Sequence, residues 1–446
     1  MQIRRRLASA FVIVLGVVLL HTRSASAQTW NIDARVVGLG GLGGEQNIFT
    51  SGLADARGEH SFALPFGLLR LLQERQRFDP RSTGFNPLEL LAFTANPMHV
   101  PVAGGTSAAA SLFASDVRNG TVSRDLNAYR GFTPQAFEAA RLIAPRWGHT
   151  FTIGSRRPDA RVSHHVYVGA GPNLALRTAL AMNGPFTDLL YATGPRYERN
   201  SRLTLANQTT GQIALAITGG YRGAYRLAGD MELHVMLNLN GLRGLRYEGA
   251  DVALAFQTDA SGLVGSSTAA APLSILRRTS THGAGRSADA GIGFVRGRWE
   301  AGISGQNIAN RMTWRDAARR TYTMTNVTGR SAQFTITAPI PLGAFTDALP
   351  EAYRANLGYR SGRTSLQAEA GREGNRKALR AGAEYSFARL AVRGAASWLN
   401  DAWQPSAGLS LPLGRGLWAD AAFFSTTANI ERRRQYTLAT SLRLAR

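Results

Sequence analysis

The 446-residue chain has no cysteine, which removes disulfide scaffolds, thiolate metal sites and cysteine nucleophiles from consideration. Lysine is almost missing too: of 51 basic residues all are arginine except Lys377. Acidic residues number only 29, and the resulting formal charge of +22 favours anionic partners without naming one. Long apolar runs are equally scarce. Only Leu7 to Leu20 is uncharged and apolar throughout, and it is shorter than the roughly 20 residues that a helix needs to cross a bilayer. Zinc-protease spacing is absent, so no metal or cofactor is expected.

What the first residues do contain is an export signal. Arg4-Arg5-Arg6, the apolar run and the small residues Ala25-Ser26-Ala27 form the three regions of a secretory signal peptide, with cleavage expected before Gln28. Residues 1–27 hold four arginines and no acid, so the mature chain stays strongly basic. An exported basic chain has little access to nucleic acid. Its expected counter-charges are outer-membrane lipid, lipopolysaccharide phosphates, anionic solutes or an acidic partner.

From about residue 161 onward a two-residue period dominates. Leu174, Leu176, Leu180 and Met182 alternate with Ala175, Arg177, Ala179 and Ala181. Ile213, Leu215, Ile217 and Tyr221 stand against Ala214, Ala216, Thr218 and Arg222, and Leu233, Val235, Leu237 and Leu239 against Glu232, His234, Asn238 and Asn240. Residues 286–314 read as a hairpin turning at Arg296-Gly297-Arg298. Past Glu351 the pattern becomes a meander with strands at 353–360, 364–371, 378–386, 390–398, 406–412, 417–424 and 435–445, joined alternately by tight turns and longer polar loops. In a transmembrane barrel the large apolar face meets lipid and the small or charged face lines the lumen. The expectation is therefore an all-β, antiparallel transmembrane barrel of about 14 strands (12–16), occupying 161–446. Trp299, Tyr322, Tyr353, Tyr359, Tyr385, Trp398, Trp403 and Trp418 lie near strand ends, where interfacial aromatic girdles belong.

Residues 28–160 are patterned differently and read as a hatch or plug with short helices. Ser61–Leu72 alternates and suggests a first strand; Asn86-Pro87 opens a helix through Ala95, and Thr133-Pro134 a second one to about Ile143. Between them, 101–125 has the small, polar composition of a loop. The run Gly38-Leu39-Gly40-Gly41-Leu42-Gly43-Gly44 is not followed by helical periodicity, which argues against a phosphate loop and for close main-chain packing.

The stretch Asp33-Ala34-Arg35-Val36-Val37-Gly38-Leu39-Gly40-Gly41, directly after a signal peptide, resembles the opening of outer-membrane proteins of the FadL (long-chain fatty-acid transporter) and PorV type. The segments Ala301–Asn307 and Leu379–Tyr385 are similar to late strands of that superfamily. The resemblance spans nearly the whole mature chain. It implies a 14-stranded barrel with an N-terminal hatch, insertion by the barrel-assembly machinery, and either passage of small, hydrophobic or anionic molecules or a PorV-like role in export or surface attachment. Asp33, Arg35, Gly38, Gly40 and Gly41 are then the hatch residues, and Arg177, Arg222, Glu232 and His234 are expected in the lumen. Two features depart from the pattern: Thr50-Ser51-Gly52-Leu53-Ala54 stands where such proteins have Asn-Pro-Ala-Gly-Leu, and the chain ends in Leu444-Ala445-Arg446 instead of an aromatic residue.

A catalytic barrel would need a nucleophile beside a positioned base. His164-His165, His234, His282 with Ser280, and the carboxylates Asp259, Asp289 and Glu300 form no recognisable set, so no enzyme activity is expected.

Overall fold

The computed structural model describes residues 28–29, 33–42, 60–64, 66–74, 76, 79, 82, 99–119, 121–144, 147–153, 161–190, 197–227, 229–265, 273–328, 331–373, 376–399, 401–427 and 429–444. The signal segment and the helix expected at 86–95 lie outside them, as does the stretch Thr50–Ala54.

Twenty strands form one sheet. In chain order they are β1 (Gln28–Thr29), β2 (His60–Ala63), β3 (Val100–Gly104), β4 (Phe137–Ile143), β5 (Trp147–Ile153), β6 (Val162–Met182), β7 (Arg202–Arg226), β8 (Met231–Gln257), β9 (Leu273–Ser280), β10 (His282–Arg296), β11 (Trp299–Thr328), β12 (Ser331–Ile336), β13 (Ile340–Asp347), β14 (Ala352–Ser361), β15 (Thr364–Glu373), β16 (Arg376–Ser386), β17 (Ala391–Leu399), β18 (Ala402–Gly414), β19 (Leu417–Thr426) and β20 (Gln435–Leu444). Among the described residues four α-helices accompany them: α1 (Ala34–Gly38), α2 (Phe66–Gln73), α3 (Ala108–Asn119) and α4 (Gly184–Leu190).

Several strands are collinear pieces of one stave. β4 and β5 both run along β6, β2 and β3 both along β20, β9 and β10 both between β8 and β11, and β12, β13 and β14 in succession along β11. Counted as staves among the described residues, the wall runs β4/β5, β6, β7, β8, β9/β10, β11, β12/β13/β14, β15, β16, β17, β18, β19, β20 and β2/β3, fourteen in all. Neighbours pair antiparallel throughout, apart from the two-residue parallel contact of β1 with β4. The N–H of Gln135, just before β4, donates to the carbonyl of Ile430, just before β20, at 2.8 Å and brings the two ends of the sheet round to each other. A sheet closed in this way leaves no row of backbone groups unpaired in lipid, the condition for spanning a bilayer with strands.

The sequence alternation becomes the two faces of the wall. Ile217 is 71% exposed and Leu239 63%, with Leu215, Leu237, Ile292, Ile303, Leu366, Leu409 and Phe423 also on the outside, whereas Ala214, Ala216, Thr218, Asn238 and Asn240 are buried within. Aromatic residues bracket that outer apolar band. At the tight-turn end, Trp299 packs on Tyr359 at 4.7 Å and Tyr385 on Phe387 at 4.7 Å; at the other end Trp398 faces Trp403 across β17 and β18, and Phe423 stacks on Tyr436 at 5.5 Å. Tyr322 departs from the girdle: it is buried in the apolar cluster around Phe113.

The wall is lopsided. β14 to β20 have 9 to 13 residues, about the 9–11 that a tilted strand needs to cross a bilayer. β6, β7, β8 and β11 have 21, 25, 27 and 30, so half the wall rises well beyond the membrane on the side away from the short turns. Extra height comes from extended strands here, not from the long polar loops expected in the C-terminal meander, whose connections Glu373 to Arg376 and Leu399 to Ala402 are as brief as the turns. Where β11 leaves the band it carries left-handed backbone at Asn307, Ala309 and Asp316, and its register with β10 and β13 slips there. Such bulges bend a strand. The Asn307 N–H is held by Asp289 Oδ1 at 2.9 Å, and Asn307 and Asn310 donate to the carbonyls of Pro350 and Leu349.

Three local expectations are corrected. Residues 137–143 are strand β4, not a helix, because pairing with Leu174–Leu180 of β6 satisfies their backbone and overrides a helical start signal. Residues 60–63 are strand but 66–73 are helix α2, whose Leu68, Leu69 and Leu72 carry the helical spacing. The segment 101–125, read as loop, contains part of β3 and all of α3; Ser107 caps that helix by accepting from the Ala110 N–H.

Candidate functional site

Buried charges inside the barrel gather on one half of the wall. Along β14 to β20 the inward positions hold arginines and carboxylates. Arg354 and Arg380 each donate to Glu369 Oε1 at 2.7 Å, all three being buried. Beside them Arg393 donates to Glu384 Oε2 at 3.0 Å, lies 3.6 Å from Asp420 Oδ1 and bonds Ser410; Arg443 reaches Asp420 Oδ2 at 3.2 Å. Alternating sign around the wall lets each buried charge meet a partner, without which its burial would cost several kcal/mol.

Residues 33–41 dock on this network. Asp33 caps α1, its Oδ1 accepting from the Arg35 N–H at 2.8 Å and from Ser441 Oγ of β20 at 3.1 Å; that hydroxyl oxygen in turn accepts from the Ala34 N–H. Arg35 grips Glu384 with both forks, Nε to Oε2 at 3.1 Å and Nη2 to Oε1 at 2.9 Å. Ala34 is fully buried against Ala422 and Ala439. At Gly38 a side chain has no room: a Cβ would stand 3.0 Å from the Gly408 Cα and 3.0 Å from Arg393 Cδ. Gly38 also offers its carbonyl to Ser406 Oγ at 3.2 Å. Gly40 and Gly41 have left-handed backbone, at φ 68° and 94°, which turns the chain away after the helix and suits glycine. All five expected hatch residues thus belong to one segment held inside the barrel against β16–β20.

The four expected lumen residues are spread over the opposite wall. Arg177 pairs with Asp347 at 3.4 Å and reaches the Ala348 carbonyl. Arg222 is buried, stacked 5.1 Å over the Tyr167 ring and donating to Asn238 Oδ1 at 2.7 Å. Glu232 and His234 lie on β8, 3.5 Å apart. Above the band Gln212 joins Trp314 Nε1 (3.1 Å) to Asp347 Oδ2 (2.8 Å), and Trp314 and Met312 fill the space that Gly244 and Gly283 leave open. Leu180 keeps the face of Leu174 and Leu176, as the alternation expects, and is buried there in the apolar cluster around Phe113.

The rising half of the wall carries a second apolar cluster on the face that bears Ile213 and Leu215 lower down, and residues 108–132 pack against it. Phe113 of α3 meets Tyr129 edge-on at 5.1 Å, Phe132 at 5.0 Å and Phe256 of β8 at 6.1 Å; Leu203, Leu205, Leu254, Ile275, Tyr322 and Met324 complete the cluster. Tyr129 donates to Asp116 Oδ2 at 2.7 Å, and burial with that carboxylate pushes its hydroxyl pKa well above the usual tyrosine range. Glu431 secures the segment from β20's side, accepting from the Ser107 N–H and Oγ at 2.7 and 2.8 Å. Composition alone concealed this cluster, because α3 is alanine-rich and its one phenylalanine gives a weak signal. Among the described residues no group of three or more metal-ligating side chains occurs.

No protein-family model matches the chain, and no curated protein is similar to it in sequence. Similar solved structures include the Ralstonia pickettii toluene transporter TbuX, with 10% identity, TM-score 0.33, and 64% of this chain and 80% of that chain covered. The CymD monoaromatic hydrocarbon channel has 12% identity, TM-score 0.27 and coverage of 70% and 77%. A variant of the Rhodopseudomonas blastica porin has 10% identity, TM-score 0.20 and coverage of 64% and 99%. At such scores the likeness carries no functional information.

Proposed function

We propose that the protein is a gated outer-membrane channel that admits small hydrophobic or anionic molecules, with Asp33–Gly41 as its hatch. The observation that carries this reading is the bidentate Arg35–Glu384 contact, which ties a five-residue helix inside the barrel to a wall that stays paired without it. Removing Arg35 leaves Glu384 with Arg393, so the wall survives while the hatch loses its anchor. The lumen offers guanidinium groups along β14 to β20, which suits solutes with a negative charge. Proteoliposomes holding the full chain test the proposal. Efflux of a trapped small aromatic carboxylate, faster with Arg35→Ala than with the native chain, is the expected result; no efflux from either would overturn it.

A second reading, a structural component of an export or surface-attachment system, is favoured by one observation. Residues 108–132 pack an apolar cluster against the rising half of the wall, as a scaffold requires. That reading predicts no efflux together with co-purification of other envelope proteins.

A further inference from the structure

On the outer surface of the rising wall, the register of β8, β10 and β11 gathers positive charge into one patch. Arg286 of β10 stands directly opposite Arg311 of β11. Two residues further from the band, Arg243 of β8 is opposite Ala284, and Ala284 is opposite Thr313; the next row pairs His282 with Arg315. Arg243, Arg286, Arg311 and Arg315 are all exposed, and none forms an ion pair among the described residues. Asp316 sits in the outermost of these rows, 3.3 Å from His282, and makes no ion pair with the four arginines. Other arginines close by are already matched, Arg246 and Arg277 with Glu248 and Arg278 with Asp251.

Like charges directly opposite each other across an antiparallel pair are destabilising, with Cβ atoms only about 5 Å apart. Here that arrangement persists without an internal counter-ion, so an external anion would relieve it. Position indicates which anion. Along β8 the outer face reads Leu233, Val235, Leu237, Leu239 and then, past Gly241, Arg243; along β10 it reads Phe294, Ile292, Ala290, Ala288 and then Arg286; along β11 Ile303 and Ile308 precede Arg311. On three adjacent strands the arginines thus begin where the lipid-facing band ends, on the side away from the short turns.

We propose that this patch binds the phosphorylated head group of an outer-leaflet lipid, with acyl chains lying on the apolar band below and phosphates between Arg286, Arg311 and Arg243. Planar guanidinium forks suit phosphate oxygens, and a site continuous with the band selects a lipid over a free ion. The inference rests on how the barrel sits in the membrane and is independent of what the lumen passes.

Native mass spectrometry of the full chain in detergent, titrated with diphosphoryl lipid A, tests it. Arg286→Gln combined with Arg311→Gln should weaken binding about 30-fold, from roughly one phosphate contact's worth of affinity per arginine. Arg363→Gln at the tight-turn end should leave binding unchanged. Lipid A stripped of its phosphates should bind as poorly to the native chain as the intact lipid does to the double variant, and inorganic phosphate should not displace it. Equal binding by the double variant, equal binding of the stripped lipid, or displacement by inorganic phosphate would each overturn the proposal. Heat-modifiable migration on gels reports folding, and Arg243→Gln alone, which leaves the opposed pair intact, supplies a milder variant with a smaller expected loss.

Discussion

Cutting the hatch anchor is the perturbation with the clearest arithmetic. In the native chain Glu384 accepts two hydrogen bonds from Arg35 and one from Arg393. A charge-assisted bond of this kind contributes about 1.5–3 kcal/mol, less where solvent reaches it, and the Arg35 side chain is one-third exposed. Arg35→Ala removes the fork but leaves Glu384 paired, so the barrel should lose little stability while docking of α1 weakens by about 1.5 kcal/mol, roughly tenfold in the closed-to-open ratio. Glu384→Gln is harsher on the wall, because Arg393 is wholly buried and keeps only Asp420 and Ser410. Single-channel recording in planar bilayers measures the ratio directly. The expected outcome is open probability raised about tenfold in Arg35→Ala, with the double variant no more open than the more open single one, since both single changes break one contact. Open probability unchanged in Arg35→Ala, or strictly additive effects of the two changes, would refute the reasoning.

Further predictions follow from single contacts. Trp314→Ala should lower stability by about 3–5 kcal/mol, read as a shift in the urea midpoint, because the ring is fully buried and its removal also strands Gln212 Oε1. Ala309→Gly should raise stability by about 1 kcal/mol in the same assay, as Ala309 has φ 50°, where an L side chain is strained. Asp259 ties the turn after β8 to Arg124: its carboxylate accepts from the backbone N–H of Leu263 and of Ser261, and it pairs with Arg124, which together hold its pKa below the ordinary 3.8 against the opposing effect of burial. A depressed carboxylate pKa gives stability that is present above the unfolded value and lost as pH falls through the folded one. Amide exchange in 258–264 should therefore accelerate on acidification from neutral pH to below 3.8 in the native chain, beyond the intrinsic rate change, and show no such step in Asp259→Asn.

How far the sequence spoke for itself depended on how local the signal was. The strands after Glu351 are short, face lipid on one side and alternate cleanly, and their ends fall within a few residues of those expected, as with β14 at Ala352–Ser361. The close packing of the segment 33–41 was legible from its glycines, because close backbone approach needs glycine at particular places. Its wall partner Glu384 was not: pairing across 349 residues is set by barrel closure. The pattern also failed where strands leave the membrane. There residues 108–132 cover the apolar face, so Leu180 and Tyr322 are buried although the same residue types face lipid lower down. Residues 137–143 misled for a related reason, since Pro134, three residues earlier, signals a helix start, but the neighbouring edge of β6 decides the outcome.

The account stands or falls on α1 being held inside the wall by Arg35. Because the chain has no cysteine, Ala34→Cys introduces a single thiol at a fully buried position. Labelling with a membrane-impermeant maleimide in reconstituted vesicles should be slow in that variant and at least several-fold faster when Arg35→Ala is added. Rapid labelling in the presence of Arg35, or the same slow rate without it, would contradict the account.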